Sequence, residues 1–175
     1  MNTLQLHKKI CLLGTFGVGK TSLVRRFVYD KYDDEYKSTI GAKVSQKRLV
    51  PLENSRKELI QFNFLVWDIE GVEKATPQVN HYLLGAHGFL LIGDLTREET
   101  IGALPAISEF ARKIAPGAPL VLAGNKADLA PDGSHTAAVL AEVADRFSAP
   151  YLLTSAKDGR NVEDCFTQLG LLIAE

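Results

Sequence analysis

Gly14-Thr15-Phe16-Gly17-Val18-Gly19-Lys20-Thr21 constrains the fold of this chain more than any other stretch. The apolar run Ile10-Cys11-Leu12-Leu13 comes just before it and reads as a short buried strand. Ser22-Leu23-Val24-Arg25-Arg26-Phe27-Val28 follows it, with apolar side chains at helical spacing. A strand, a glycine-rich turn and a helix start, in that order, make a loop whose backbone N–H groups wrap a polyphosphate. The helix N-terminus adds the positive end of its dipole. Gly14, Phe16, Gly17, Val18 and Gly19 are therefore candidate nucleotide contacts. Lys20 is placed to reach the β- and γ-phosphates and the Thr21 hydroxyl to hold Mg²⁺.

The chain of 175 residues fits one domain spanning 1–175, large enough to bury a core without staples. A net charge of -1 gives no electrostatic case for nucleic acid or an anionic membrane as partner. Cys11 and Cys165 lie in apolar contexts without metal-ligand spacing and read as reduced core thiols, compatible with the cytoplasm. No apolar run approaches the roughly 20 residues of a membrane span. The termini show no signal-peptide core, myristoylation glycine or prenylation motif. The expectation is a cytoplasmic monomer with no membrane anchor on this chain.

Elements alternate in type, which predicts an α/β fold with a mostly parallel sheet and helices on both faces. Strand 9–13 leads through the loop to a helix from Lys20 to near Tyr29. Two extended segments, 42–52 and 58–67, are joined by the polar turn Glu53-Asn54-Ser55-Arg56-Lys57 and should form a hairpin. Phe89-Leu90-Leu91-Ile92-Gly93-Asp94 and Leu120-Val121-Leu122-Ala123 read as central buried strands. A helix carrying Ile107, Phe110, Ala111 and Ile114 lies between them and starts or kinks near Pro105. A helix through Val139, Leu140, Val143 and Ala144, a short strand 151–154 and a final helix through Val162, Phe166 and Leu169 complete the chain. Ligands of such folds bind beyond the carboxyl ends of the parallel strands, where each remaining motif falls.

Asp68 closes the apolar run Phe64-Leu65-Val66-Trp67, and Gly71 follows. A carboxylate there can reach Mg²⁺, a hard cation that prefers oxygen ligands. Without a side chain, Gly71 lets its N–H approach a terminal phosphate. Asn125-Lys126-Ala127-Asp128 ends another buried strand. Guanine offers N1–H and an exocyclic amine as parallel donors, which one carboxylate, Asp128, accepts together; adenine has no such pair. Asn125 would tie this segment to the phosphate loop, and the stem of Lys126 would lie along the base. Leu129 is counted with this pocket. Thr154-Ser155-Ala156-Lys157 could present the Ala156 N–H to guanine O6, with Ser155 and Lys157 beside it.

This ordered set of motifs resembles the Ras-like small GTPases, and among them the Rab type. Ser38-Thr39-Ile40-Gly41, Gly85-Ala86-His87-Gly88 and Tyr32, at the family's spacing after Lys20, extend the likeness over essentially the whole chain. The resemblance implies the P-loop NTPase (small G-protein) fold, a mostly parallel six-stranded sheet with one antiparallel edge strand. It implies GTP/GDP and Mg as ligands, with Thr39 joining Thr21 and Asp68 at the metal and touching the γ-phosphate. Tyr32 would pack against guanine, and Ser22 would contact the α-phosphate. Lys20, Thr39 and Gly71 would form the catalytic set. Residues 30–41 and 71–84 would be switch loops, ordered by γ-phosphate and Mg²⁺ and read by effectors, an exchange factor and a GTPase-activating protein.

The second switch departs from the family's Trp-Asp-Thr-Ala-Gly-Gln-Glu, reading Trp67-Asp68-Ile69-Glu70-Gly71-Val72-Glu73. Val72 stands where a glutamine orients the attacking water, and valine has no hydrogen-bonding group for that task. Phe16 takes a place near the γ-phosphate where small residues are usual, and could exclude an arginine finger or the water. Glu70 could repel GTP or face away. A slow GTPase switch and a non-hydrolysing GTP-binding scaffold are both open on these residues. A small-metabolite kinase leaves Asn125 to Asp128 unexplained. Arg25, Arg26, Arg97 and Arg160 read as surface charges, and His87 as structural. A prenylated tail of the kind typical of Rab proteins is not expected on this chain, which as given stops with the last helix.

Overall fold

The computed structural model describes residues 3–35, 38–73 and 75–175. Ile10 to Leu13 are fully buried at the end of β1 (Leu4–Leu13), as their unbroken apolarity requires. The strand begins at Leu4 rather than Lys9, because its polar first half pairs in parallel with β4 (Leu59–Ile69), from Leu4 opposite Ile60 to Leu12 opposite Asp68. Backbone pairing, not burial, extends it.

Among the described residues the sheet has seven strands, where six were expected. Its main path runs β2 (Ala42–Arg48), β4, β1, β5 (Gly88–Asp94), β6 (Leu120–Asn125), β7 (Tyr151–Leu153). All neighbours on that path are parallel except β2, the antiparallel edge strand. The seventh strand, β3 (Leu52–Glu53), comes from the end of the expected segment 42–52 and pairs antiparallel with β4. Arg48 faces Asn63 while Leu52 faces Ile60, so the outer chain carries one more residue than β4 between these pairs. Such a bulge suits Pro51, which has no N–H for the ladder. Gln61 fills the gap by donating through Nε2 to the Leu49 carbonyl. The hairpin itself is present as expected.

Every residue of β5 and β6 is buried, as befits strands covered on both faces. Alternation along the strands divides the core. Ile10, Leu12, Phe62, Phe64 and Leu90 pack with α1 (Lys20–Tyr29) and α6 (Val162–Ala174). Cys11, Leu13, Phe89 and Leu91 pack with α2 (Pro77–Leu83), α3 (Glu98–Gly102), α4 (Leu104–Ile114) and α5 (His135–Arg146). Pro105 falls in the first turn of α4, where its missing N–H has no partner to lose.

The stretch 71–84, expected as a loop, contains α2. Thr76 caps it, accepting the Val79 N–H at 3.1 Å, and Pro77 starts it. Only Val79 and Leu83 of this helix are buried, too few positions to show a periodic signal in sequence. Residues 36, 37 and 74 of the two expected switches lie outside the described residues. Because the central strands run parallel, the chain after β1, β4, β5, β6 and β7 emerges on one edge of the sheet. The motif residues collect there.

Candidate nucleotide-binding site

The phosphate loop is held by donors on its carbonyls. The Gly14 carbonyl accepts from Lys20 Nζ at 3.0 Å and from the Val72 N–H at 2.9 Å. Thr15 O also accepts from Lys20 at 3.0 Å, Gly17 O from Lys126 Nζ at 3.1 Å, and Val18 O from Asn125 Nδ2 at 3.0 Å. Gly19 O accepts the Leu23 N–H at 2.9 Å, which opens α1. With its carbonyls turned outward the loop is free to direct N–H groups at an anion. Two glycines are required by close approach. A Cβ on Gly14 would lie 2.3 Å from the Ile92 carbonyl, and one on Gly19 would lie 2.3 Å from Asn125 Nδ2. The Val18 side chain, by contrast, packs in the core beneath the loop.

Lys20 is buried, and burial pulls its ammonium down to about 8 against the opposing charges of Asp68 and Glu73. Thr21 of α1, Asp68 of β4 and Thr39 of the loop before β2 converge. Thr21 Oγ1 donates to Asp68 Oδ2 at 2.5 Å and is hydrogen-bonded to Thr39 Oγ1 at 2.6 Å. Thr39 Oγ1 lies 3.4 Å from the same carboxylate oxygen. Asp68 Oδ1 is buried with no hydrogen-bond partner among the described residues. Burial raises the Asp68 pKa, opposed by the Thr21 hydrogen bond and the Lys20 charge. Two hydroxyls, a carboxylate and an orphaned carboxylate oxygen suit a hard divalent cation such as Mg²⁺.

A cavity of about 280 Å³ opens beside these groups, lined by Phe16, Gly17, Gly19, Lys20, Thr21, Ser22, Tyr32, Thr39, Gly71 and Lys126 among others. Asp128, Leu129, Ser155, Ala156 and Lys157 do not line it; the Leu129 N–H donates to the carbonyl of Lys126, which does, at 2.9 Å. Ser155 Oγ donates to Asp128 Oδ1 at 2.8 Å, and the Asp128 charge acts on Tyr32, whose hydroxyl pKa is raised mainly by burial. Asn125 is buried and ties the loop to the segment just after β7, taking a hydrogen bond from Thr154 Oγ1 at 3.2 Å. Leu129 is exposed at the rim.

The departures in the second switch acquire definite positions. Val72 is only 4% exposed: its side chain belongs to the core cluster that also holds Val79 and Leu83 of α2, while its N–H joins the phosphate loop at the Gly14 carbonyl. Glu70 faces the first switch: its Oε2 accepts the Gly41 N–H at 3.2 Å, and its N–H donates to Gly41 O at 2.8 Å. Glu73 makes a long contact of 3.5 Å from the Phe16 N–H. Phe16 is 52% exposed at the cavity mouth. A Cβ on Gly71 would fall 2.7 Å from the Phe16 nitrogen, so only glycine lets the second switch lie against the loop.

Two arginines read as surface charges belong to the site. Arg26 donates through Nε to Ala156 O at 2.8 Å and through Nη2 to Lys157 O at 2.5 Å, joining α1 to the base-side loop. Arg97 donates through Nη2 to Phe16 O at 2.8 Å. No local pattern marks either contact, since each crosses between distant elements. His87 is structural, as expected, with Nδ1 accepting the Lys9 N–H at 3.0 Å.

The Ras family model matches residues 9–175. GTP-binding protein ypt1 of Schizosaccharomyces pombe is 34% identical over 168 residues, covering 95% of this chain and 80% of that protein. Ras-related protein RABD2a of Arabidopsis thaliana is 33% identical over 168 residues, 95% of this chain and 80% of that protein. Ras-related protein Rab-22A of Mus musculus is 33% identical over 162 residues, 92% of this chain and 80% of that protein. With a family match over nearly its whole length and the phosphate loop, Thr21, Thr39, Asp68 and the base-side segment gathered on one sheet edge, the chain belongs to the Ras family as a small GTPase of the Rab type.

Proposed function

We propose that this chain is a guanine-nucleotide switch that binds GTP and GDP with Mg²⁺ and hydrolyses GTP very slowly on its own. The observation that carries the reading is the joining of two motifs: Asn125 and Lys126, from the base-side segment, hold the Val18 and Gly17 carbonyls of the phosphate loop. That linkage supports a single ligand spanning both, with Asp128 on guanine and Lys20 on the phosphates. Thr21, Thr39 and Asp68 would hold Mg²⁺, which when bound neutralises charge on the phosphate oxygens. Tyr32, Ser22, Leu129, Ser155, Ala156 and Lys157 are assigned to the nucleotide, and Lys20, Thr39 and Gly71 to the reacting phosphate.

The slow rate is supported by burial of the Val72 side chain, which leaves the water-orienting task without its usual residue. The same observation favours a second reading, a GTP-binding scaffold that does not turn over. In either reading residues 30–41 and 71–84 are the effector surface, with Ile40 92% exposed and Val44 exposed nearby to meet an apolar partner. An exchange factor and a GTPase-activating protein would act on the same loops, and a cytoplasmic monomer is the working state.

The test is to identify the nucleotide released when the purified protein is denatured, then to follow a single turnover of GTP. The switch predicts retained GDP and a rate below about 10⁻⁴ s⁻¹. Retained GTP with no turnover favours the scaffold, and ATP binding tighter than GTP sinks both.

A further inference from the structure

Arg97 holds the phosphate loop from outside the sequence motifs. The loop carbonyls of Gly14, Thr15, Gly17, Val18 and Gly19 are held by Lys20, Lys126, Asn125 and backbone N–H groups. The Phe16 carbonyl accepts from the Arg97 guanidinium, at 2.8 Å. A trans peptide is planar, with its C=O and N–H pointing in opposite directions. Fixing the Phe16 carbonyl outward therefore fixes the next N–H, that of Gly17, in the opposite sense. Gly17 lines the cavity, with φ of 75° that glycine alone adopts without strain.

The guanidinium is itself held. Arg97 Nε donates to Asp94 Oδ2 at 3.1 Å, and Asp94 is 0% exposed. Asp94 Oδ1 accepts from the Thr96 N–H at 2.8 Å and from Thr96 Oγ1 at 2.6 Å. Thr100 Oγ1 donates to Arg97 O at 2.7 Å and accepts the Asp94 N–H at 2.8 Å, which closes the turn between β5 and α3. A charged fork set on a buried carboxylate within a closed turn has little freedom, so its second branch is pre-aimed. A hydrogen bond from such a group is stronger than a neutral one.

We propose that Arg97 is a positioning residue for nucleotide binding: it clamps the Phe16 peptide so that the Gly17 N–H faces the outer phosphates and the bulky Phe16 stays at the cavity mouth. This rests on the nucleotide reading above. Arg97 does not line the cavity, and its proposed effect runs through the loop backbone. Without the clamp, a loop that carries phenylalanine can turn that peptide and withdraw a donor from the phosphates.

The test uses R97M, which keeps much of the stem and removes every donor, and R97K, which keeps the charge on a single head group. Release of fluorescent GDP from R97M should be about tenfold faster than from wild type, with R97K between them, about threefold faster. Affinity for GMP, which has no outer phosphates, should not change, and the preference for GDP over ADP should persist. R97M releasing GDP at the wild-type rate overturns the proposal. So does an equal loss of GDP and GMP, the mark of a general loosening of the fold. If R97M is insoluble, R97K carries the test, and a wild-type release rate there overturns it. Wild-type protein that binds neither GDP nor GTP would instead sink the nucleotide reading itself.

Discussion

Asp128 takes a hydrogen bond from Ser155 Oγ at 2.8 Å through Oδ1, which holds its carboxylate in one orientation before any base arrives. A site built to pair with a donor pair discriminates far more strongly than one built on shape, because a mismatched ligand leaves buried polar groups unpaired. Asp128→Ala should therefore reduce the preference for GTP over ATP by about a hundredfold or more, read by competition against fluorescent GDP. An unchanged ratio would remove Asp128 from the base pocket. The residue types and their spacing were legible in sequence here, since each works within a few positions of its motif. The contacts of Arg26 and Arg97 were not. A guanidinium on a helix or turn looks solvent-facing until the fold brings a carbonyl from another element to it, as Ala156 O is brought to Arg26 and Phe16 O to Arg97.

At the scale of elements, β5 and β6 were readable because unbroken apolar runs have few other uses in a chain of this kind. The helix α2 was not, because its short length buries just Val79 and Leu83 and the cap at Thr76 is a single hydroxyl. That helix decides what the Val72 substitution means. By position Val72 is proposed to leave the attacking water without its orienting group; in the fold it is a core side chain in the cluster that includes Val79 and Leu83 of α2. Val72→Gln would place an amide in that apolar cluster at a cost of about 1–3 kcal/mol. The GDP-bound variant should melt several degrees below wild type in a thermal scan. Equal melting temperatures would mean that the new side chain leaves the core for the phosphate side, and single-turnover hydrolysis should then rise.

The whole molecule is a sheet between two helical layers, and the layer behind the phosphate loop is pinned by α1 against α6. Phe27 and Phe166 stack there with ring centroids 3.7 Å apart and planes within 3°. Phe166→Ala should cost about 3–5 kcal/mol and lower the melting temperature by on the order of 10 °C. Guanine preference should survive in the folded fraction; its loss would mean that α1 is held by α6 more directly than by the sheet. The sequence alone determined the phosphate loop, the alternation of strands and helices and the placing of the Asn125 to Asp128 motif at the end of a buried strand, because those depend on short-range spacing and on apolar periodicity. Tertiary structure decided which strands share an edge, that Thr21, Thr39 and Asp68 meet, that Val72 is buried and that Arg97 holds the loop. Those outcomes are set by strand order and by contacts between residues far apart in the chain, and no local pattern of side chains encodes either.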